Sequence, residues 1–210
     1  MLYLSTPSSP EIQAAMTAGE FGCMTTPAQG NVLPERCQWA ADNGKFGRGW
    51  PGPEAWFLWL KDTVMRYGAE RCVFAVAPDV PFDAIGTLAE SRPWLPLIRN
   101  LGIPAAFAVQ DGCENGLMPG WDEFDVMFLA GTTDWKIGQT AFWLSTEAKA
   151  RGKWVHMGRV NSLERLKIAN SFGADSADGT YFAFGPDINL TRARGWLPQV
   201  HQQPSLWTAA

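Results

Sequence analysis

The chain has few of the residues from which metal sites and disulfide frameworks are built. Among its 210 residues are four cysteines and two histidines, and no two cysteines have the Cys-x2-Cys spacing of a zinc site. The cysteines are far apart in the sequence, at Cys23, Cys37, Cys72 and Cys113. The sequence therefore predicts free buried thiols, no bound zinc and no cofactor.

Long apolar runs and an excess of positive charge are also missing. No segment is apolar and uncharged over the roughly 20 residues that a membrane-spanning helix needs. The N-terminal segment MLYLSTPSSPEIQ lacks the basic stretch and long apolar core of a signal peptide, so we expect a cytoplasmic protein, in the host cytoplasm if a phage encodes it. The formal net charge of −4 argues against a protein that coats nucleic acid through charge alone, but not against an enzyme with a small basic patch.

What the chain does have is a series of short apolar runs. Hydrophobic residues make up 46% of the sequence, which is enough for a sizeable core. Near-continuous apolar runs are typical of parallel strands that are buried on both faces. Eight runs are predicted as strands, at residues 1–5, 21–26, 39–42, 72–77, 105–110, 126–131, 153–158 and 179–184.

Helical patterns fill most of the gaps between these strands. They cover residues 10–19, 53–68, 82–101 (in two pieces, because of Pro93 and Pro96), 137–152 and 161–173. The last helix has Asn161 as its predicted N-cap and Gly173 at its end.

Alternating strands and helices, with eight strands, predict a small (β/α)8 barrel. We expect it to form one domain over residues 1–186, without a zinc subdomain, followed by a C-terminal tail at 187–210 in which no element is evident. No Gly-x-Gly-x-x-Gly motif follows an early strand, which argues against a doubly wound sheet.

Polar residues follow most of the predicted strands, at the end of the barrel where proteins of this fold carry their active sites. The segment GADSADGT, residues 173–180, places two carboxylates, Asp175 and Asp178, three positions apart. Because side chains alternate along a strand, we expect Asp175 to point away from Asp178 and to have a structural role at the rim. Each polar residue alone also fits an ordinary turn, but together they predict a ring of carboxylates, amides and one basic group around a single mouth.

Taken in order, these segments resemble the tRNA-guanine transglycosylase superfamily, and most of all its short branch that acts on DNA in phages and bacteria. The resemblance runs from about residue 39 to residue 182, in the motifs DNGKF, FAVAPD, AVQDG, FLAGTT, VHMGR and GADSAD. The zinc site of the tRNA enzymes is absent, and GTYF replaces the Pro-Thr-Arg segment that follows their nucleophile. Both absences favour DNA over tRNA as the partner.

The resemblance implies an enzyme that replaces guanine in DNA by a 7-deazaguanine. Asp178 would be the nucleophile that attacks C1′ and expels guanine, and Asp42 would move protons to the leaving base and from the entering one. The residues implied to bind the base are Asp79, Gln110, Gly131, Thr132, Phe46, Met157 and Gly158. Those implied to contact the phosphates of the nucleic acid are Arg159, Lys45 and Arg48.

Two alternatives stay open on the sequence alone. The same carboxylates with water as the acceptor would make a DNA glycosylase that removes a base. A barrel of this kind would also serve as a non-catalytic subunit that supports a catalytic partner, and a homo- or hetero-oligomer is compatible with each alternative.

Overall fold

In the computed structural model, which describes residues 1–47 and 49–201, eight parallel strands close into a single barrel. Each strand pairs with the next along the chain, and the last pairs with the first, Leu4 lying opposite Asp178. The predicted (β/α)8 barrel is therefore confirmed. The strands are β1 Leu2–Ser5, β2 Gly22–Thr25, β3 Trp39–Ala41, β4 Cys72–Val76, β5 Ala105–Val109, β6 Val126–Leu129, β7 Trp154–Met157 and β8 Ser176–Asp178.

Helices surround the barrel, and several begin at capping residues that the sequence provides. Ser9 caps the first helix by accepting a hydrogen bond from the Ile12 N–H, and Asp83 caps the third by accepting one from the Gly86 N–H. Within the described part of the chain, no helix has the length and apolar character needed to cross a membrane. The helices are α1 Pro10–Thr17, α2 Pro53–Tyr67, α3 Ala84–Ser91, α4 Leu95–Arg99, α5 Thr133–Lys136, α6 Gln139–Ala150, α7 Leu163–Ser171 and α8 Pro186–His201.

Alternate side chains of each strand point into the barrel or outward to the helices. Leu4, Phe74 and Phe128 belong to the apolar cluster inside the barrel. His156 lies with them, because its ring centroid is 4.9 Å from that of Phe74 and 4.5 Å from that of Phe128. The layer between barrel and helices contains the neighbouring positions, such as Met157. All four cysteines are buried free thiols, as predicted.

The eighth strand was predicted at the wrong place. It covers Ser176–Asp178, whereas the predicted segment 179–184 contains a short 3-10 turn at Tyr181–Ala183. The apolar residues there serve packing: the Phe182 ring lies 5.6 Å from the Tyr3 ring, edge to face, behind the barrel wall.

Two helix expectations also need correction. The N-cap of α7 is Ser162, whose hydroxyl accepts a hydrogen bond from the Arg165 N–H, and Asn161 precedes it. Of the predicted tail at 187–210, the part up to His201 belongs to α8, which buries Leu190 and Val200, and positions 202–210 lie outside the described residues. The sequence signal was weak because Gly195 and Pro198 interrupt the helical pattern.

Candidate active site

Two adjoining cavities lie at the C-terminal end of the barrel. The inner cavity has a volume of about 70 Å³ and the outer cavity one of about 560 Å³. Asp42, Phe46, Arg159 and Asp178 line both of them. The wall that the cavities share therefore carries two carboxylates, one guanidinium group and one aromatic ring.

Asp178, the last residue of β8, is held by a histidine from inside the barrel. Its Oδ1 lies 2.9 Å from His156 Nε2, and His156 Nδ1 lies 2.8 Å from the hydroxyl of Ser176. Burial lowers the pKa of His156, so the ring is neutral and donates from Nε2 while Nδ1 accepts the Ser176 proton. Trp154 Nε1 donates to the oxygen of the same hydroxyl at 2.8 Å, so the Ser176 oxygen is an acceptor toward Trp154 and its proton is directed to His156 Nδ1. Asp178 Oδ2 has no hydrogen-bond partner among the described residues.

Asp42 follows β3 and has different surroundings. Its Oδ1 accepts a hydrogen bond of 2.8 Å from the Gly44 N–H, an arrangement that the sequence Asp-Asn-Gly favours. Burial raises the pKa of Asp42 to about 6, and the nearby charges of Asp178 and Asp79 add to the rise against the effect of the Gly44 hydrogen bond. Asp42 therefore keeps a proton at a higher pH than an ordinary aspartic acid does.

Asp79 lines the inner cavity and is clamped by two amides. Asn43 Nδ2 donates to Oδ1 at 2.9 Å, and Gln110 Nε2 donates to Oδ2 at 2.8 Å. The amide orientations are fixed, because Asn43 Oδ1 accepts the Lys45 N–H and Gln110 Oε1 accepts the Phe82 N–H. Burial raises the pKa of Asp79, and the Asn43 hydrogen bond and the Lys45 charge hold that rise back.

Arg159 stacks on two aromatic rings at the mouth of the inner cavity. Its guanidinium carbon lies 4.7 Å from the centroid of Phe46 and 5.6 Å from that of Phe82. One of its nitrogens donates to the carbonyl oxygens of Ala130 and Gly131. Arg159 and Phe82 have φ angles of 60° and 67°, which are unfavourable for residues other than glycine. The stacked rings and the two carbonyl contacts hold this unfavourable backbone in place.

Lys136, at the end of α5, is fully buried close to this wall. Its Nζ donates to the carbonyl oxygen of Gly158, which lines the inner cavity. Burial lowers the pKa of Lys136 to about 7, and the charge of Arg159 lowers it further, against the opposite effect of Asp178. Within the described chain, no group of three or more His, Cys, Asp and Glu side chains is arranged to hold a metal ion.

The structure brings most of the predicted site residues together. Seven line the inner cavity: Asp42, Phe46, Asp79, Gln110, Gly158, Arg159 and Asp178.

The other predicted site residues lie elsewhere. Thr132 is exposed and bonds to Asp111, Gly131 packs against the same side chain, and Met157 lies in the layer between barrel and helices. Lys45 pairs with Glu90, and Arg48 lies outside the described residues. Asp175 lies at the N-terminal end of β8 and pairs with Lys149, apart from both cavities.

Four residues of the site were missed from the sequence: Asn43, Lys136, His156 and Arg165. Strand alternation alone could have found His156, because it places positions 154, 156 and 158 on one face and Met157 on the other. No local pattern distinguishes Lys136 from an exposed helix lysine.

The barrel is similar to solved structures of low sequence identity. One is a KDPGal structure, with 12% identity, a TM-score of 0.58, and coverage of 96% of this chain and 95% of that one. A second is tryptophan synthase from M. tuberculosis, with 16% identity, a TM-score of 0.57, and coverage of 95% and 90%. A third is M. tuberculosis LpqI, with 13% identity, a TM-score of 0.52, and coverage of 96% and 87%. At these identities the likeness shows the fold alone. No family model and no curated protein matches the chain.

These neighbours correct the family resemblance. None of the three is a tRNA-guanine transglycosylase, and they give no support to that superfamily. The resemblance is therefore wrong, and so are the guanine exchange in DNA and its glycosylase variant that were inferred with it. The physical reason is that each motif is a short polar turn after a strand, which any barrel of this fold can carry. Binding of nucleic acid and self-association stay predictions.

Proposed function

We propose that the protein is a lyase that cleaves and forms a carbon–carbon bond in a small β-hydroxy carbonyl compound by acid–base catalysis. The observation that carries the proposal is that Asp42 and Asp178 lie on one cavity wall in different surroundings. Differences of this kind allow two carboxyl groups in one site to take the separate roles of acid and base.

Asp178 is suited to be the base. Its Oδ1 is fixed by His156, which leaves Oδ2 to accept a proton from a ligand in the cavity. Asp42 is suited to be the acid, because its pKa of about 6 keeps part of the population protonated near neutral pH.

In the cleavage direction, Asp178 takes the proton from the substrate hydroxyl. The electron pair of that O–H bond forms the carbonyl of an aldehyde, and the carbon–carbon bond breaks. The electrons of the broken bond pass to the other fragment as an enolate, and Asp42 gives its proton to the enolate carbon to produce a ketone or keto acid. Asp178 then returns its proton to solvent and Asp42 regains one, so that both groups are restored.

Arg159 is placed to stabilise the charge that develops on the enolate oxygen. It lines both cavities, and its Nε and Nη1 have no hydrogen-bond partner among the described residues. Preorganised donors beside a developing oxyanion contribute strongly to catalysis.

The fold-level analogy supports the same reaction class, because one of the similar barrels is an aldolase, the KDPGal enzyme. At 12% identity this support is by analogy. The arrangement of the two carboxylates carries the proposal.

The enolisation half-reaction provides a direct test. Pyruvate, hydroxyacetone and dihydroxyacetone each have exchangeable protons next to a carbonyl, and ¹H NMR in D₂O follows their replacement by deuterium. We expect the protein to catalyse exchange of at least one probe, with Asp42 as the base in this direction. Asp42→Asn should slow the exchange about 10²- to 10⁴-fold.

The second half of the test separates the two carboxylates. Asp178→Asn should keep the exchange, which does not use Asp178, but lose addition of the enolate to glycolaldehyde. Asp62→Asn, the same change at an exposed position of α2, is the matched control and should leave both reactions unchanged. Absence of exchange and of addition with all three probes in the folded wild-type protein would contradict the proposal.

A further inference from the structure

Arg165 on α7 lines the outer cavity with a guanidinium group that no carboxylate neutralises. Its Nη1 donates to the carbonyl oxygen of Arg159 at 3.5 Å. Neither arginine belongs to an ion pair within the described chain, whereas Arg92 and Arg99 each form a two-fold contact with a carboxylate. A guanidinium group that faces a cavity without a counter-ion has its donors available for an anionic ligand.

The two arginines are also close enough to repel each other. Burial lowers the pKa of Arg159, and the charge of Arg165 lowers it further, against the effect of Asp178. Both arginines also lower the pKa of Lys136. Two guanidinium groups therefore lie close together at the outer cavity, an arrangement that an anion would stabilise.

Asn161, in the loop between β7 and α7, adds an unsatisfied amide to the same wall. Its Oδ1 is buried and without a hydrogen-bond partner among the described residues, and its side chain lines the outer cavity. This oxygen accepts hydrogen bonds and cannot donate one to a phosphate oxygen, so it fits a hydroxyl or N–H of the rest of a ligand and not an anionic group. Thr180, exposed after β8, offers a hydroxyl to the same cavity.

The carboxylates restrict where an anion can lie. Asp42 and Asp178 are on the wall shared with the inner cavity, so repulsion favours the Arg165 side for a charged group. A volume of about 560 Å³ has room for that group together with part of a substrate.

We propose that the outer cavity binds the phosphate group of the substrate between Arg165 and Arg159, so that the substrate is a phosphorylated β-hydroxy carbonyl compound. The identity of the rest of the ligand rests on the proposed function. The phosphate site itself does not, because it requires no reaction.

Calorimetric titration with inorganic phosphate at constant ionic strength tests the site. Wild-type protein should bind phosphate. Arg165→Gln should bind it at least about tenfold more weakly, because a charge-assisted hydrogen bond is lost. Arg192→Gln removes the same charge from the exposed surface of α8 and should bind phosphate as the wild-type protein does. Acetate, titrated in the same way, should bind more weakly than phosphate.

The outcomes are separable. No binding of phosphate by the wild-type protein, or equal affinity in the Arg165→Gln and Arg192→Gln variants, overturns the phosphate site. If Arg165→Gln does not fold, Arg165→Lys replaces it in the titration. In addition, NMR follows the Nε–H resonances of Arg159 and Arg165 in the wild-type protein, and resonances that do not shift when phosphate is added also overturn the site.

The exchange assay then links the site to the reaction. Dihydroxyacetone phosphate should exchange with a lower KM than dihydroxyacetone, and Arg165→Gln should remove that advantage. Phosphate binding without exchange of any probe overturns the lyase and leaves the site. Exchange without phosphate binding overturns the site and leaves the lyase.

Discussion

Replacing Asp42 by Asn should stabilise the protein, and the gain should depend on pH. The pKa of Asp42 is raised from an ordinary value of 3.8 to about 6, chiefly because the carboxyl is desolvated. The folded state therefore disfavours the charged form of this side chain, and Asn removes the charge while its Oδ1 still accepts the Gly44 hydrogen bond. A site that keeps a carboxylate in such surroundings does so at a cost in stability.

The sign and size follow from proton linkage. Between pH 3.8 and pH 6 the folded state holds the Asp42 proton more tightly than the unfolded state, so the stability of the wild-type protein falls as the pH rises through that range. The full penalty at pH 8 corresponds to about 3 kcal/mol, and at pH 4.5 to about 1 kcal/mol. For a chain of this size, Asp42→Asn should raise the Tm by about 6–12 °C at pH 8 and by about 2–4 °C at pH 4.5.

Thermal unfolding of wild-type, Asp42→Asn and Asp62→Asn proteins at pH 4.5, 6 and 8 makes the comparison. The Asp62→Asn control should differ from wild type by no more than about 0.5 kcal/mol at any pH. A Tm of Asp42→Asn below the wild-type value at pH 8, or a gain that is the same at pH 4.5 and pH 8, would refute the assignment of Asp42 as a carboxyl with a raised pKa.

Three further predictions concern other parts of the site and barrel. His156→Leu should slow enolate addition to glycolaldehyde about 10-fold or more, because Asp178 loses the Nε2–H donor that holds it, while ketone exchange persists in the NMR assay. Gly179→Ala should lower the free energy of unfolding by about 1–3 kcal/mol, because an added Cβ would lie 2.5 Å from the Tyr3 hydroxyl. Gly195→Ala in α8 should raise the free energy of unfolding slightly, because a Cβ added there has no atom within 4 Å and alanine favours the helix. Denaturant titration distinguishes the two glycines, and similar values for both would contradict the clash. Asp175→Asn should lower stability by about 1 kcal/mol or less, because its ion pair with Lys149 is half-exposed, and should leave exchange unchanged; a larger loss in exchange than in stability would give Asp175 a role in the site.

The order of the strands and the ring of polar residues at the mouth of the barrel could be predicted from the sequence, because both depend on local signals. Seven of the eight strands lie within the predicted apolar runs, since buried parallel strands are almost continuously apolar. Asp42 and Asp79 were recognisable because the first ends such a run and the second follows one after Pro78, whereas Asp178 was found through the segment GADSADGT. The last strand was misplaced because Ser176–Asp178 is only three residues long and the more apolar YFAF follows it.

The interior of the site depends on contacts between distant residues and was not predictable. Lys136 becomes a buried cation only because the short helix α5 places it against Gly158, 22 positions further along the chain. The amide clamp on Asp79 likewise joins Asn43 and Gln110, which come from the ends of different strands. The family resemblance was wrong for the same reason: the order of motifs along a barrel does not determine which side chains contact one another.

The pairing of β8 with β1 has a consequence for the order in which the molecule can fold. Leu2 and Leu4 align with Ser176 and Asp178, so the first strand supports the proposed catalytic base across a sequence separation of about 174 residues. Until β8 has been synthesised, β1 and β7 each present an unpaired edge, and His156 has no carboxylate partner. Chain synthesis therefore exposes the apolar lining of an open sheet first, and the base reaches its place in the step that closes the ring.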